Sequence, residues 1–433
     1  MYVAIDDTDS KSWMCTTFLA GQLIASLPDL DLIGHPRLVR LNPAVPWKTR
    51  GNGAICLRFG HGGGRSQLIG EIGGKEVRAF ERSKEAPDRD LLMNVAMGLV
   101  KEWSRVAEGA SPGVVVSPNK PEQALYWQAV RGLVLKEDVV ETLSSGGASW
   151  GGLNGARGII GASAAMSWRP RDRTYEILAY RKRDNWGTER FIDEDSVKSM
   201  DQSFPSTFNN YDYEEGKIVI CPNSPCPVLY GIRGENPDDL FKAQRSLISE
   251  EGDGHLLFLT NQATDDHVIN RFKELLPNRS YSIIGKVIGQ PRDLPGGHTF
   301  LTIETSTASL EVAAYEPTKR FRGVVRALLP GDSLRVVGEL REEPRTLNLE
   351  KLELLDPVTQ WRKTSNPRCS SCGRRMKSIG SGKGYRCRHC STRAGESSAE
   401  IHPVERNLKR GWYEPPVSAR RHLSKPLKRM TKS

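Results

Sequence analysis

Apolar positions in the first part of the chain change period several times, and each change marks an element. Val3, Ala4 and Ile5 make a short apolar run that suits a buried strand. The segment Thr16 to Leu27 then carries Phe18, Leu19, Leu23, Ile24 and Leu27 at helical spacing and stops at Pro28. Strand-like HPRLVRLNP and alternating GAICLRFG, with Ile55, Leu57 and Phe59 on one side, flank the loop VPWKTRGNG. Residues 61 to 140 read as helical, most clearly in DLLMNVAMGLVKEWSRV and PEQALYWQAVRGLV, with strand-like GVVV between them and Trp127 expected in a core.

Farther on, strand and helix patterns alternate through TYEILAYRKR, DEDSVKSMDQSF, PNSPCPVLYGIRGE, NPDDLFKAQRSLI and HLLFLTNQATDDH. This predicts an α+β sandwich with helices on one face of a sheet. From Tyr281 to Leu355 the signals are all β: YSIIGKVIG, HTFLTIETS, SLEVAAYE, SLRVVGELRE and TLNLEKLELL, joined by segments rich in Gly and Pro. Strands at these intervals fit a small closed barrel, of which the OB-fold is the usual five-stranded case.

Length and charge narrow the class. A chain of 433 residues with 38% hydrophobic content should hold two to four domains with packed cores. A formal charge of +10 and a pI near 9.2 favour a polyanionic partner, nucleic acid or an anionic membrane, although solubility accounts for part of such an excess. No apolar run is long enough to span a bilayer, and the amino terminus has neither a basic n-region nor a cleavage site, so a cytosolic protein is expected. Of eight cysteines, four fall in two C-x-x-C pairs and the others are scattered, which suits a reducing compartment and one metal site.

Candidate chemistry begins where the first strand ends. Asp6, Asp7 and Asp9 could supply carboxylates to Mg2+, which takes one or two of them with phosphate and water; the same residues are also good helix-start chemistry for the helix that follows. Lys48 and Arg50, beside Gly51, Asn52 and Gly53, could converge on a phosphate, or form a solvated basic turn. Acids and cations together look more like a nucleotide site than either does alone. Arg157 stands among glycines that permit close backbone approach. Asp212, Glu235, Asp265 and Asp266 could form the negative end of a pocket for a cationic substrate, lined by Asn209, Cys226 and His267, although a structural role fits each one singly.

In the barrel, Arg292, His298, Phe300, Lys319, Arg320 and Arg322 are candidate oligonucleotide contacts, the alternative being a purely structural β-domain. Cys369, Cys372, Cys387 and Cys390 form two knuckles around a Gly-containing loop, the spacing of a zinc ribbon. Four thiolates close a tetrahedron, so such a zinc is structural and His389 is not a ligand; an iron–sulfur cluster or redox dithiol competes less well. The carboxy-terminal Arg406, Lys409, Arg410, Arg420, Arg421, Lys425, Lys428, Arg429 and Lys432 make a basic tail expected to be disordered alone and to order on a phosphate backbone.

IDDTDS with MCTT, RLVRLNPAVPWKTRGNG, GARGIIGA, PNSPCPVLYGIRGE and TNQATDDH, followed by barrel and ribbon, resemble in their order the archaeal tRNA(Ile) 2-agmatinylcytidine synthetase family; the resemblance runs to about His402. It implies an α+β multidomain architecture: a kinase-like α/β ATP-binding catalytic domain over 1–150, a ferredoxin-like domain with the agmatine site over 151–275, an OB-fold that binds tRNA over 280–357, a zinc ribbon over 365–395 and the basic tail over 400–433. The boundary near Ser149 is soft. Members of that family use ATP to attach agmatine to C2 of the wobble cytidine of isoleucine tRNA, by phosphorylating the C2 oxygen, so that AUA is decoded rather than AUG.

Carried onto this chain, the resemblance implies Mg2+ on the ATP phosphates held by Asp6, Asp7 and Asp9, and charge offset from Lys48 and Arg50. Gly51, Asn52 and Arg157 are phosphate contacts. Thr16 matches the threonine that becomes phosphorylated, with Thr17 beside it, and the agmatine pocket would draw on Asn209, Asp212, Cys226 and Glu235. The expected partners are isoleucine tRNA with a CAU anticodon and agmatine, with no membrane, a structural Zn2+ and a monomeric cytoplasmic enzyme. A non-catalytic tRNA-binding protein and a related ligase using another amine or another tRNA are the competing readings.

Overall fold

The structure, a computed structural model, describes residues 1–48 and 51–430. Its first part contains strands β1 (Tyr2–Asp6), β2 (Asp31–Ile33), β3 (Arg37–Arg40), β4 (Gly53–Gly60), β5 (Gly62–Ile72), β6 (Lys75–Ser83), β7 (Gly113–Ser117) and β8 (Ser149–Gly152). The helices are α1 (Thr16–Ala25), α2 (Arg89–Trp103), α3 (Gln123–Arg131), α4 (Lys136–Ser145) and α5 (Ile159–Ser167). β1 lies between β4 and β7, antiparallel to both. Its alternation places Val3 and Ile5 in one core with α1 and α2, and Ala4 in a second core with α3 and α5. α5, IIGASAAMS, is buried on nearly every side and packs on β1, β4 and β7. The layer built on β1 therefore extends past residue 150 to the end of that helix.

Residues 61–83, expected to be helical, form the long hairpin β5–β6 instead. Polar side chains fill its outward positions, which hides the alternation, and Gly73 and Gly74 supply two positive φ angles at the turn.

The second part continues the same sheet. Strands β9 (Thr174–Arg181), Thr207–Phe208, Val228–Gly234 and Gly252–Thr260 join it, and among the described residues the sheet reaches twelve strands. Gly252–Thr260 makes the joint, pairing with β9 and β5 antiparallel and with β3 parallel. Helices Glu194–Ser203 and Pro237–Ser246, capped by Asp193 and Asn236, lie against one another, as the sequence predicts.

The five β-runs after Tyr281 become a closed five-stranded barrel. Arg279–Val287 pairs with His298–Glu304 and with Ser333–Leu340; Ser309–Ala314 joins His298–Glu304 antiparallel and Thr346–Asp356 parallel, and Thr346–Asp356 pairs with Ser333–Leu340 to complete the circuit. Beyond it a two-stranded stalk, Gln360–Ser365 with Glu400–Val404, carries the cysteine knuckles.

The basic tail is folded, contrary to expectation. Gly411–Tyr413 adds to the barrel edge, and the following residues form a strap across the body. Arg406 grips the fully buried Asp332 through two bonds of 2.7 Å. Lys425 and Arg429 both reach Asp172, at 2.9 and 2.7 Å. Leu423 lies inside the core shared by β1, α3 and α5. Intramolecular carboxylates thus take the place of the phosphates expected to order this segment.

Candidate active site

A cavity opens where β1 ends, and it gathers residues that are far apart in sequence: Asp6, Asp7, Asp9, Thr16, Lys48, Gly51, Asn52 and Arg157 all line it. Arg50 lies outside the described residues. The acids do not cap α1: its N-cap is Cys15, with no side-chain cap bond and no acid in the first turn. α5 likewise starts without a side-chain cap, at Gly158. The positive ends of two helix dipoles therefore face one cavity, an arrangement suited to an anion.

The three aspartates differ in setting. Asp6 is 8% exposed, and burial, reinforced by Asp7, pushes its carboxyl well above the usual range. Asp7, at φ +58°, is also raised by burial, against the opposing pull of Arg157, whose Nη2 lies 3.1 Å from its Oδ2. Asp9 lines the same wall. Among the described residues the aspartates do not form a three-carboxylate cage.

The glycines of GARGIIGA have a specific use. A Cβ at Gly161 would overlap the Asp6 carboxylate, and one at Gly158 would press on the Asp6 backbone. Gly161→Ala should displace the Asp6 side chain and lower turnover roughly a hundredfold, the scale of an ångström-sized misplacement. Steady-state rates and a melting curve on the same variant would separate this from unfolding.

Both candidate threonines line the cavity. Thr8 Oγ1 donates to Thr16 Oγ1 at 3.0 Å, while Thr17 Oγ1 lies 3.1 Å from Cys15 Sγ. The lining also has an apolar part: Leu41, Val45, Trp47, Ala129, Leu133 and Val134. Trp47 is 47% exposed at this wall, with the Arg157 guanidinium 5.9 Å from its ring centre. Residues 129–134 come from a region whose sequence suggested no chemistry.

Arg40 was also missed. It sits on β3 in RLVR, where it reads as an ordinary outward residue, yet it lines the cavity and its Nε is buried with no hydrogen-bond partner among the described residues. Asn261 clasps its backbone on both sides, at 2.7 and 2.8 Å.

The residues expected around an amine are not brought here. Asp212 accepts from Ser418 N and Oγ, at 3.0 and 2.7 Å, and from the amides of Glu214 and Glu215. Asn209 accepts from Arg420, Glu235 pairs with Arg429, and the Cys226 carbonyl accepts from Arg190. Asp265 pairs with Lys351, Asp266 accepts from Tyr126 at 2.6 Å, and His267 meets Glu350 at 2.8 Å. Most of these contacts join the strap or the barrel to the sheet.

On the barrel, Phe300 is buried and packs edge-on to Tyr315, so it is a core residue rather than a base-stacking one. Arg320 and Arg292 remain exposed, whereas Lys319 and Arg322 turn toward Glu316. The sulfurs of Cys369, Cys372, Cys387 and Cys390 lie within 4.8 Å of one another. A zinc–sulfur bond of about 2.3 Å requires a tetrahedron with edges of roughly 3.8 Å, so the four thiols fit the ion.

Comparison with known proteins finds relatives along the whole chain. Residues 2–154 match the family model described as the TiaS TCKD domain, 156–267 the TiaS FLD domain and 366–408 the TiaS C-terminal zinc ribbon domain. The isoleucine-tRNA 2-agmatinylcytidine synthetase TiaS of Methanocaldococcus jannaschii is 37% identical over 99% of this chain and 98% of its own, and that of Archaeoglobus fulgidus 40% identical over 99% and 97%. A crystal structure of TiaS in complex with its isoleucine tRNA and ATP superposes with a TM-score of 0.85 at 38% identity, covering 99% of this chain and 97% of that one. A complex of TiaS with the same tRNA, AMPCPP and agmatine gives 0.82 at 35%, with the same coverage. With such identity along its whole length, the chain belongs to the TiaS family of isoleucine-tRNA 2-agmatinylcytidine synthetases.

Proposed function

We propose that this protein uses ATP to join agmatine to C2 of the wobble cytidine of isoleucine tRNA, giving 2-agmatinylcytidine so that AUA is decoded. The observation that carries the reading is the single cavity at the end of β1, which unites carboxylates, cations, two helix N-termini and an apolar wall. Relatives named for this activity, and complexes of relatives with isoleucine tRNA, ATP and agmatine, support it.

The chemistry follows from what cytosine lacks. Its C2 oxygen is a poor leaving group, and phosphorylation makes it a good one before the primary amine of agmatine attacks C2. Asp6, with Asp7 or Asp9, would hold Mg2+, which screens the ATP phosphates. The amino-terminal ends of α1 and α5, together with Lys48, Arg50, Gly51, Asn52 and Arg157, receive the phosphates. Thr16, which lines the cavity as Thr17 also does, would be the phosphorylated threonine. The target base has to leave the anticodon stack to reach this depth, and the apolar wall with Trp47 offers it a face to lie against. The amine has to meet C2 in the same cavity, so in this reading the 209–235 segment supports the sheet instead of contacting agmatine.

The domain labels belong to the same proposal. Strand order and the one parallel pair of the barrel are those of an OB-fold, and its exposed Arg292 and Arg320 are candidate tRNA contacts. The helices beside β9 suit a ferredoxin-like layer and the layer on β1 a kinase-like one. Free cysteines throughout the described residues suit a reducing compartment, and a monomeric enzyme of the cytoplasm is part of the same proposal; no described helix is long and apolar enough to cross a membrane.

The test is incubation with Mg2+, ATP, agmatine and unmodified isoleucine tRNA, followed by nucleoside mass spectrometry. Cytidine should gain the mass of agmatine less water. An unchanged nucleoside leaves a non-catalytic tRNA binder, and gain only with spermidine or putrescine identifies a ligase for another amine.

A further inference from the structure

The strap passes directly behind the candidate active site. A Cβ built on Gly51 would lie 2.8 Å from Arg40 Nη1 and 3.5 Å from the His422 ring, so the guanidinium and the imidazole flank the same glycine. Gly53 packs on Arg40 in the same way, with Nη1 2.9 Å from its would-be Cβ. His422 is fixed from behind: its carbonyl accepts from Ala263 N at 2.8 Å, the Leu423 carbonyl accepts from Asp265 N at 2.9 Å, and the Leu423 side chain is buried in the core below. On the other side Arg421 pairs with Glu339 and Glu350 of the barrel, and the charges of all three also act on Lys48 at the cavity rim. Burial, with Arg40 and Arg233 close by, keeps the His422 ring neutral. A neutral ring can stand against a guanidinium where a second cation could not.

We propose that the carboxy-terminal strap is part of the catalytic site, with His422 as the positioning residue that holds the Arg40 guanidinium toward the ATP phosphates. This rests on the function proposed above. Arg40 has the features of a phosphate-binding cation: it lines the cavity, its Nε has no hydrogen-bond partner among the described residues, and the glycines at 51 and 53 leave room for it. His422 is not among the residues that line the cavity, and in this proposal its effect passes through Arg40.

A double-mutant cycle in the full-length protein tests this. Arg40→Ala should lower kcat for agmatine conjugation roughly a hundredfold, the usual loss on removing one electrostatic contact to a transition state. His422→Ala should lower kcat about tenfold with KM for tRNA unchanged, and His422→Gln, which keeps a planar neutral group, should recover part of that loss. The double variant Arg40→Ala/His422→Ala should be no slower than Arg40→Ala alone, because the second change acts only through the first. Wild-type kinetics in His422→Ala, or losses that multiply in the double variant, would overturn the proposal. If His422→Ala melts early, the same cycle with His422→Gln decides. Inactive wild-type protein would instead point to failure of the proposed function itself.

Discussion

Asp6→Asn is expected to abolish agmatine conjugation and to make the protein harder to unfold. Its carboxylate is buried among Asp7 and Asp9, with a pKa raised chiefly by burial and next by Asp7. A carboxyl whose folded pKa exceeds its unfolded value binds its proton more tightly in the native state, so its contribution to stability falls as pH rises through that window. At neutral pH the ionised group is a destabilising burden. Asparagine keeps the shape and removes the charge, and a gain of ~1 kcal/mol would raise the melting midpoint by about 1–2 °C. Activity should fall by a thousandfold or more, since the group that would hold the divalent ion is gone. In the wild type the acid limb of kcat/KM for ATP should lie above the ordinary carboxylate range, because Asp6 has to ionise to work. Unchanged melting together with unchanged turnover in Asp6→Asn would place the site elsewhere.

Lys351→Ala should separate the barrel from the sheet. The Lys351 side chain is 1% exposed, and its ammonium bonds both oxygens of Asp265, at 2.8 and 3.0 Å, and the Lys425 carbonyl at 2.6 Å. One lysine on the barrel thereby ties the end of the sheet and the strap together. Removing it strands the Asp265 charge, a loss of about 3 kcal/mol given that Asp265 keeps some contact with water. Denaturant unfolding should show a lower first midpoint, and limited proteolysis should cut within the strap. Adding Asp265→Asn should recover most of the loss, because the stranded charge and not the missing contact is its larger part. Additive destabilisation in the double variant would contradict this.

Local pattern made part of the molecule legible. The strand Val3–Ile5, the helix from Thr16, the five barrel runs and the cysteine knuckles declare themselves through period or spacing within a few residues, and all are present. The meeting of Asp6, Lys48 and Arg157 was legible only because acids and cations together suit a nucleotide. What could not be read depends on contacts distant in sequence. Arg421, Lys425 and Arg429 look like a free basic tail until Glu339, Asp172 and Glu235 are placed opposite them. Nor does the sequence show that Asp212 accepts a hydrogen bond from Ser418 of the strap. Arg40 and Trp47 carry no local mark; folding alone turns them into the cavity wall.

The strand Gly252–Thr260 is a shared beam, bonded at one end to β5 and at the other to β3. A fragment ending after α5 would leave stretches of both those strands without a neighbour, and bare strand edges recruit other chains. The two halves of the sheet are thus obliged to fold in each other's company, and a gene cut between them should yield aggregate where co-expression of the pieces yields soluble protein.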